Sequence, residues 1–254
     1  MQSDNNPFKA PSARVEDERP ADGYIAGGRV VPAGHGVDWL ATGWRLFREA
    51  PGAWIAMSVV FLVICIVLGM IPIVNLVVNL LLPVFVGGIM LGCKAIEDGE
   101  GLSVGHLFSG FSGYAGKLVL VGVVYLVAVL GIGLVVGVGT AVSIGAGLFR
   151  GAGFSLGFLL LALVAVLLFV PLAMAVWYAP PLVVFHDESP FQAVKASFTV
   201  SLRNFLPFLV YGICFIVLAV LASIPLFLGW LVLLPVIYAS VYAAYRDLFV
   251  GVED

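Results

Sequence analysis

Residues 178–210 read YAPPLVVFHDESPFQAVKASFTVSLRNFLPFLV, and this stretch decides the fold. An apolar run ends at Phe185. A short acidic turn follows, His186-Asp187-Glu188. A stretch at helical spacing comes next, and a second apolar run begins at Phe205. Ser189 is a good N-cap, Pro190 suits the first helical position, and Gln192 stands three residues after the cap. That is a capping-box pattern, which satisfies backbone N–H groups with no partner inside the helix. Phe191, Val194, Phe198 and Leu202 fall on one helical face, with Lys195, Thr199 and Arg203 to one side of it. Ala193, Ala196, Ser197 and Val200 make a face of small residues. Such a helix can lie in the headgroup layer, its phenylalanines toward acyl chains and Lys195 and Arg203 reaching phosphates. A plain connector packed on a helical bundle would carry the same pattern.

Composition places the stretch in its setting. The 254 residues are 62% hydrophobic and 11% charged, against roughly 25% charged in soluble domains. With a mean hydropathy of +1.13, most of the chain is solvated by lipid. The net charge of −3 gives no nucleic-acid signal. Cys65, Cys93 and Cys214 each lie inside an apolar run without metal-ligand spacing, so reduced thiols are expected. Residues 1–35 hold no apolar core of signal-peptide length, and the first apolar run is expected to stay as an uncleaved membrane helix.

Taken in order, residues 1–35 contain Pro7, Pro11, Pro20 and Pro32 among mixed charges, and a disordered tail is expected. In 37–49, Val37, Leu40, Trp44 and Phe47 recur at helical spacing, flanked by Arg45 and Arg48. Tryptophans favour the membrane–water boundary, so this reads as another interfacial helix, ended by Pro51 and Gly52. Six runs then have spanning length: 53–71, 75–96, 117–140, 154–178, 205–224 and 228–246. The expected class is all-α: a six-span membrane domain over 36–248 and a short tail over 249–254. With six spans, both termini share one side. Of the twelve Lys and Arg residues, all but Arg150 fall there, as do all fifteen acids and all three histidines. The positive-inside rule predicts that both termini are cytoplasmic.

The first and last hairpins resemble each other. Ile71-Pro72 and Ile224-Pro225 open their turns, and Leu81-Leu82-Pro83-Val84 matches Leu233-Leu234-Pro235-Val236 at an offset of 152 residues. Val170-Pro171-Leu172 makes the middle hairpin a weaker copy. Ser103–Phe111 precedes that hairpin as an amphipathic segment, with Leu107-Phe108 echoing Leu46-Phe47. The expected unit is an interfacial helix, a straight span and a kinked span, repeated over 36–98, 102–187 and 189–248. Kinks at Pro83, Pro171 and Pro235 would free backbone carbonyls and could splay the spans around a groove or cavity.

Two segments carry a family resemblance. One is Asp38-Trp39-Leu40 with Gly43-Trp44-Arg45-Leu46-Phe47, then Pro51 and Trp54. The other is Ala179-Pro180-Pro181-Leu182-Val183-Val184-Phe185, then Ser189-Pro190, Ala193-Val194-Lys195-Ala196-Ser197 and Arg203-Asn204. Together they resemble a family of bacterial six-helix inner-membrane proteins of unknown function. The wider group is similar to the membrane domain attached to some glycerophosphodiester phosphodiesterases. The resemblance covers roughly 36–247 and implies a fold and an inner-membrane location. It implies no catalytic residues, because phosphodiesterase activity there belongs to a separate soluble domain.

Polar groups at depth are costly in lipid and mark function, yet no Asp, Glu, Lys, Arg or His stands mid-span. This disfavours ion-coupled transport through a buried carboxylate, and intramembrane proteolysis. Asn75 and Asn79 are the most polar exceptions, with interhelical hydrogen bonding expected. His186-Asp187-Glu188 and Glu97-Asp98-Gly99-Glu100 sit at span ends without ligand spacing. Gly133 and Gly137 form a GxxxG pair suited to tight packing or a homo-oligomer contact. No catalytic, cofactor or metal residues are therefore assigned, and no cofactor is expected. Arg45, Arg48, Lys195 and Arg203 are the candidate contacts to lipid headgroups or a membrane partner. The leading expectation is a non-enzymatic module that organises lipids or a partner complex, without nucleic acid. A transporter or flippase of a lipidic substrate requires a cavity near Pro83, Pro171 and Pro235. A headgroup enzyme requires His186, Asp187 and Glu188 to converge with the acids of 97–100.

Overall fold

The computed structural model describes residues 23–145 and 152–250. Its helices are α1 (His35–Glu49), α2 (Pro51–Gly69), α3 (Pro72–Glu97), a 3₁₀ helix (Val104–Phe111), α4 (Ala115–Gly145), α5 (Ala152–Val176), α6 (Ala179–His186), α7 (Pro190–Arg203), α8 (Phe205–Ser223) and α9 (Trp230–Tyr245). A π-helical turn, Arg246–Val250, closes the described chain. Six stretches are long and apolar enough to cross a membrane: Pro51–Gly69, Val74–Glu97, Ala115–Gly145, Gly157–His186, Phe205–Ser223 and Trp230–Val250. The all-helical, six-span class read from the sequence is therefore the one observed. Arg150 lies outside the described residues.

Local chemistry sets the boundaries. Pro51 and Pro72 start α2 and α3 within the first turn, where a missing N–H costs nothing. Ser189 Oγ accepts from Gln192 N at 3.4 Å and caps α7. The fourth span departs from expectation. It runs through Pro171, breaks at Trp177-Tyr178, where the span was expected to end, and continues as α6 to His186. Pro180 and Pro181 have no N–H to continue the α5 ladder, so a new helix starts on them. At the break, Ser197 Oγ of α7 accepts from Tyr178 N (3.0 Å) and donates to Met174 O (2.7 Å). One hydroxyl thereby stands in for the backbone bond that the break removes.

The three short amphipathic helices each lie against the second span of another hairpin. Helix α1 packs on α9, the 3₁₀ helix on α3, and α7 on α5. A small residue makes each contact. A Cβ on Gly43 would stand 2.6 Å from Val236 O and 2.7 Å from Ser240 N. A Cβ on Gly110 would overlap Val84 O and reach Gly88 N. Ser197 meets Met174 and Tyr178. Val84 and Val236 are 152 residues apart, the same offset as Pro83 and Pro235. The contacts place Gly110 opposite Gly43, 67 residues on, so the echo of Leu46-Phe47 in Leu107-Phe108, 61 residues on, is out of register. In the middle hairpin the contact equates Ala173 with the two prolines, not Pro171. The outer turns also differ. Ile71 is extended before Pro72, whereas Ile224 is helical and Leu226 and Phe227 adopt positive φ of 50° and 64°.

A larger correction concerns the tail. Residues 1–22 lie outside the described residues, but residues 23–34 pack as a strap across the charged end. Ile25 N donates to Phe249 O at 2.7 Å, and Arg29 N to Leu248 O at 2.8 Å. Val31 is buried, and its N–H donates to Asn204 Oδ1 at 2.9 Å. Proline content suggested disorder, but the backbone groups of this segment find partners on the C-terminal turn and on Asn204. Phe249, expected in the short C-terminal tail, is buried as well.

Candidate functional site

The charged end is where the described polar chemistry gathers. Asp247 is its hub. The carboxylate accepts from Trp39 Nε1 at 2.7 Å, contacts His35 Nδ1 at 2.8 Å and pairs with Arg29. Arg29 Nε also donates to the Asp247 carbonyl at 2.6 Å. The strap, α1 and the last turn are thus fastened at one point. Asn204 does the same for the strap and α7, its Nδ2 donating to Arg29 O and Val200 O, each at 2.9 Å. Tyr24 stacks on His186 with ring centroids 3.8 Å apart and donates to Glu188 at 3.1 Å. Burial and Glu188 push the Tyr24 phenol up to about 12.

Two cavities lie below the strap along α3, α6 and α9. A polar one of about 270 Å³ is lined by Lys94, Phe185, His186, Tyr242, Tyr245 and Arg246, with Val250. His186 Nε2 lies 2.5 Å from Tyr245 Oη. Glu97 accepts from Tyr242 Oη at 2.8 Å and from Arg246 Nη1 at 2.7 Å. Deeper lies an apolar cavity of about 330 Å³, between Pro83 and Val86 of α3, Trp177 and Pro180, and Ile237 and Tyr238 of α9. Tyr125 of α4 closes one side.

The sequence-predicted residues divide. Arg45, Arg48, Lys195 and Arg203 are exposed, and none forms an ion pair among the described residues. They stay apart from both cavities. On α7 the small face (Ala193, Ser197, Val200) is buried, while Phe191 is 75% and Leu202 56% exposed. Pro83 lines the apolar cavity and Leu234, next to Pro235, borders it, but Pro171 does not. The acids do not converge: Asp187 pairs with Lys117 at 2.7 Å, Glu188 with Tyr24, and Asp98 with Lys94 at 2.9 Å. Asn79 bonds within its helix to Asn75, and Asn75 Nδ2 reaches Gly69 O across the turn at 3.4 Å. No described atom approaches the Cβ positions of Gly133 and Gly137, so the GxxxG pair makes no tight contact among the described residues. The cysteines are free thiols.

Sequence reading missed Asp247, Asn204, Arg29, Tyr242 and Trp177 as centres of contact. Asp247 and Arg29 carried one available signal: both stand at the single charged rim, with opposite charge. Asn204 stood beside Arg203 in the second segment of the family resemblance, but nothing local showed which groups it would contact.

A Burkholderia thailandensis protein named "Probable inner membrane protein" is 31% identical over an alignment covering 88% of this chain and 94% of that protein. No family model and no solved structure matches the chain.

Proposed function

The chain belongs to the family of this inner membrane protein, and from that premise we propose that it is a non-enzymatic module that gathers anionic lipid at the cytoplasmic face, where both termini lie. One observation carries the reading: Arg45, Arg48, Lys195 and Arg203 are all exposed, without ion-pair partners among the described residues, beside exposed Trp44, Phe191 and Leu202. A cation beside an exposed aromatic or leucine side chain suits a surface of phosphates above acyl chains. Each such cation near an anionic surface contributes about 1 kcal/mol. The test is replacement of all four by Gln in the full chain, with co-purifying lipids counted by mass spectrometry. A severalfold drop in bound phosphatidylglycerol is expected, and an unchanged lipid complement refutes the proposal. Thiol labelling of Gly27→Cys from the cytosolic side checks the orientation.

A second reading, movement of a lipidic substrate, is favoured by the apolar cavity beside Pro83. Continuous passage also requires an opening toward the bare end, so brominated-lipid transfer between leaflets of proteoliposomes discriminates it.

A further inference from the structure

The two cavities share three helices and differ in chemistry. On α3 the apolar cavity is lined by Pro83 and Val86 and the polar one by Lys94, eight residues nearer the charged end. On α6 the pair is Pro180 and His186. On α9 it is Tyr238 and Tyr242, then Arg246. At 1.5 Å per residue the two levels are about 12 Å apart on α3. The wall of the polar pocket is aromatic: Phe185 stacks on Tyr245 at 5.3 Å and meets Tyr242 edge-on at 6.0 Å. Aromatic residues favour the boundary between headgroup and hydrocarbon.

We propose that the two cavities form one site for a single phospholipid, its phosphate in the polar pocket and one acyl chain in the apolar cavity. This site is distinct from the four exposed cations of the rim. Arg246 supplies the first donor: its guanidinium is oriented by Glu97, which accepts from Nη1 at 2.7 Å. The Arg246 side chain lines the pocket, and its guanidinium is a fixed fork of N–H donors suited to a phosphate. Lys94 supplies the second. Its pair with Asp98 is an exposed i,i+4 contact, a type that holds weakly, so the ammonium can turn to the pocket. Neither Glu97 nor Asp98 lines the pocket, although together they balance the two cations. The pocket lining therefore presents cations without a carboxylate; their charge-assisted hydrogen bonds are strongest to an ionised phosphate, and they disfavour the quaternary ammonium of a choline headgroup. Below, Pro83, Val86, Trp177 and Ile237 line a half-open, almost wholly apolar space of about 330 Å³, at the lower end of the roughly 300–1,000 Å³ of ligand sites. In a bilayer, a chain of lipid is the apolar group at hand.

The test uses the purified full chain in a neutral detergent, offered equimolar phosphatidylglycerol and phosphatidylcholine, with retention read by native mass spectrometry. One retained phosphatidylglycerol per chain is expected, with at least a tenfold preference. Lys94→Gln and Arg246→Gln should each weaken retention about tenfold. Val86→Phe, which fills the lower cavity, should abolish it at an unchanged thermal midpoint. Should Arg246→Gln unfold by leaving Glu97 unpaired, the exposed Lys94→Gln carries that arm. Glycerol phosphate at millimolar concentration should not displace the lipid. Replacing Arg45, Arg48, Lys195 and Arg203 by Gln should leave this one lipid bound while loosely held lipids fall, which separates this proposal from the rim reading. Equal retention of phosphatidylcholine overturns it. So does retention indifferent to both Lys94→Gln and Val86→Phe, and so does full displacement by glycerol phosphate.

Discussion

The two halves of this bundle are built by different rules. Toward the charged end the helices are a packed protein: Trp54 and Met57 of α2, Leu118 and Val121 of α4, and Tyr211 of α8 are buried, all near the ends of their helices that meet there. Toward the bare end the same helices expose Val67, Leu134 and Val220. Half of α3 and two thirds of the last span are buried, against about a tenth of the second and fourth helices. The contrast follows from the solvent. Lipid tails are as apolar as leucine, so burial gives no hydrophobic drive between spans, and packing must come from close backbone approach and polar contacts. Those devices, Gly43, Gly110, Ser197, Asp247 and the ion pairs, all stand toward one end.

That contrast can be broken by matched substitutions. Gly110→Ala should cost about 3 kcal/mol, because its Cβ has backbone in its way. Gly137→Ala, which meets nothing within 4 Å, should be neutral or gain up to about 1 kcal/mol from helix propensity. Thermal unfolding in detergent reads both, and equal effects would erase the distinction between the halves. Asp247→Ala removes the acceptor of Arg29, His35 and Trp39 and should cost about 2 kcal/mol. Protease should then cut within residues 24–34 at least tenfold faster, and a strap equally protected would contradict the hub.

Ser197→Ala tests the helix break and should cost about 1–2 kcal/mol, since Tyr178 N and Met174 O both lose their partner. Hydrogen exchange at Tyr178 should rise, and unchanged protection would mean that water replaces the hydroxyl. The attachment of Tyr24 should depend on pH. The phenol is raised from the free value near 10 to about 12, so its contribution is complete below 10 and lost as pH climbs through 12. Fluorescence of a probe at Gly27→Cys should report release of the strap over that window, and not in Tyr24→Phe. The smallest effect belongs to Lys94→Gln, expected within about 0.5 kcal/mol because its Asp98 pair is exposed.

How far the chain was legible differs by element. Helix α7 was readable in detail, because Ser189, Pro190 and Gln192 act on their own backbone. Spans were readable because about 20 apolar residues in sequence have few other homes. The fourth span was expected to end at 178, beside the break at Trp177-Tyr178, but its continuation as α6 to His186 was not read, because Pro180 and Pro181 signal an end more plainly than a new start. The strap was missed because its partners are the C-terminal turn and Asn204, more than 170 residues away.

The sequence by itself determined that hydrocarbon solvates six helices and that ionic groups meet water at one rim. Hydropathy and capping act over a few neighbouring residues, so they are written locally. Only the tertiary structure decided that Asp247 joins strap to bundle, that Gly43 and Gly110 are contact points, and that Lys94, His186 and Arg246 share a pocket above Pro83 and Trp177. Those outcomes depend on which backbone comes within 3 or 4 Å of which other. That distance is fixed by how the helices cross, not by the residues on either side in the chain.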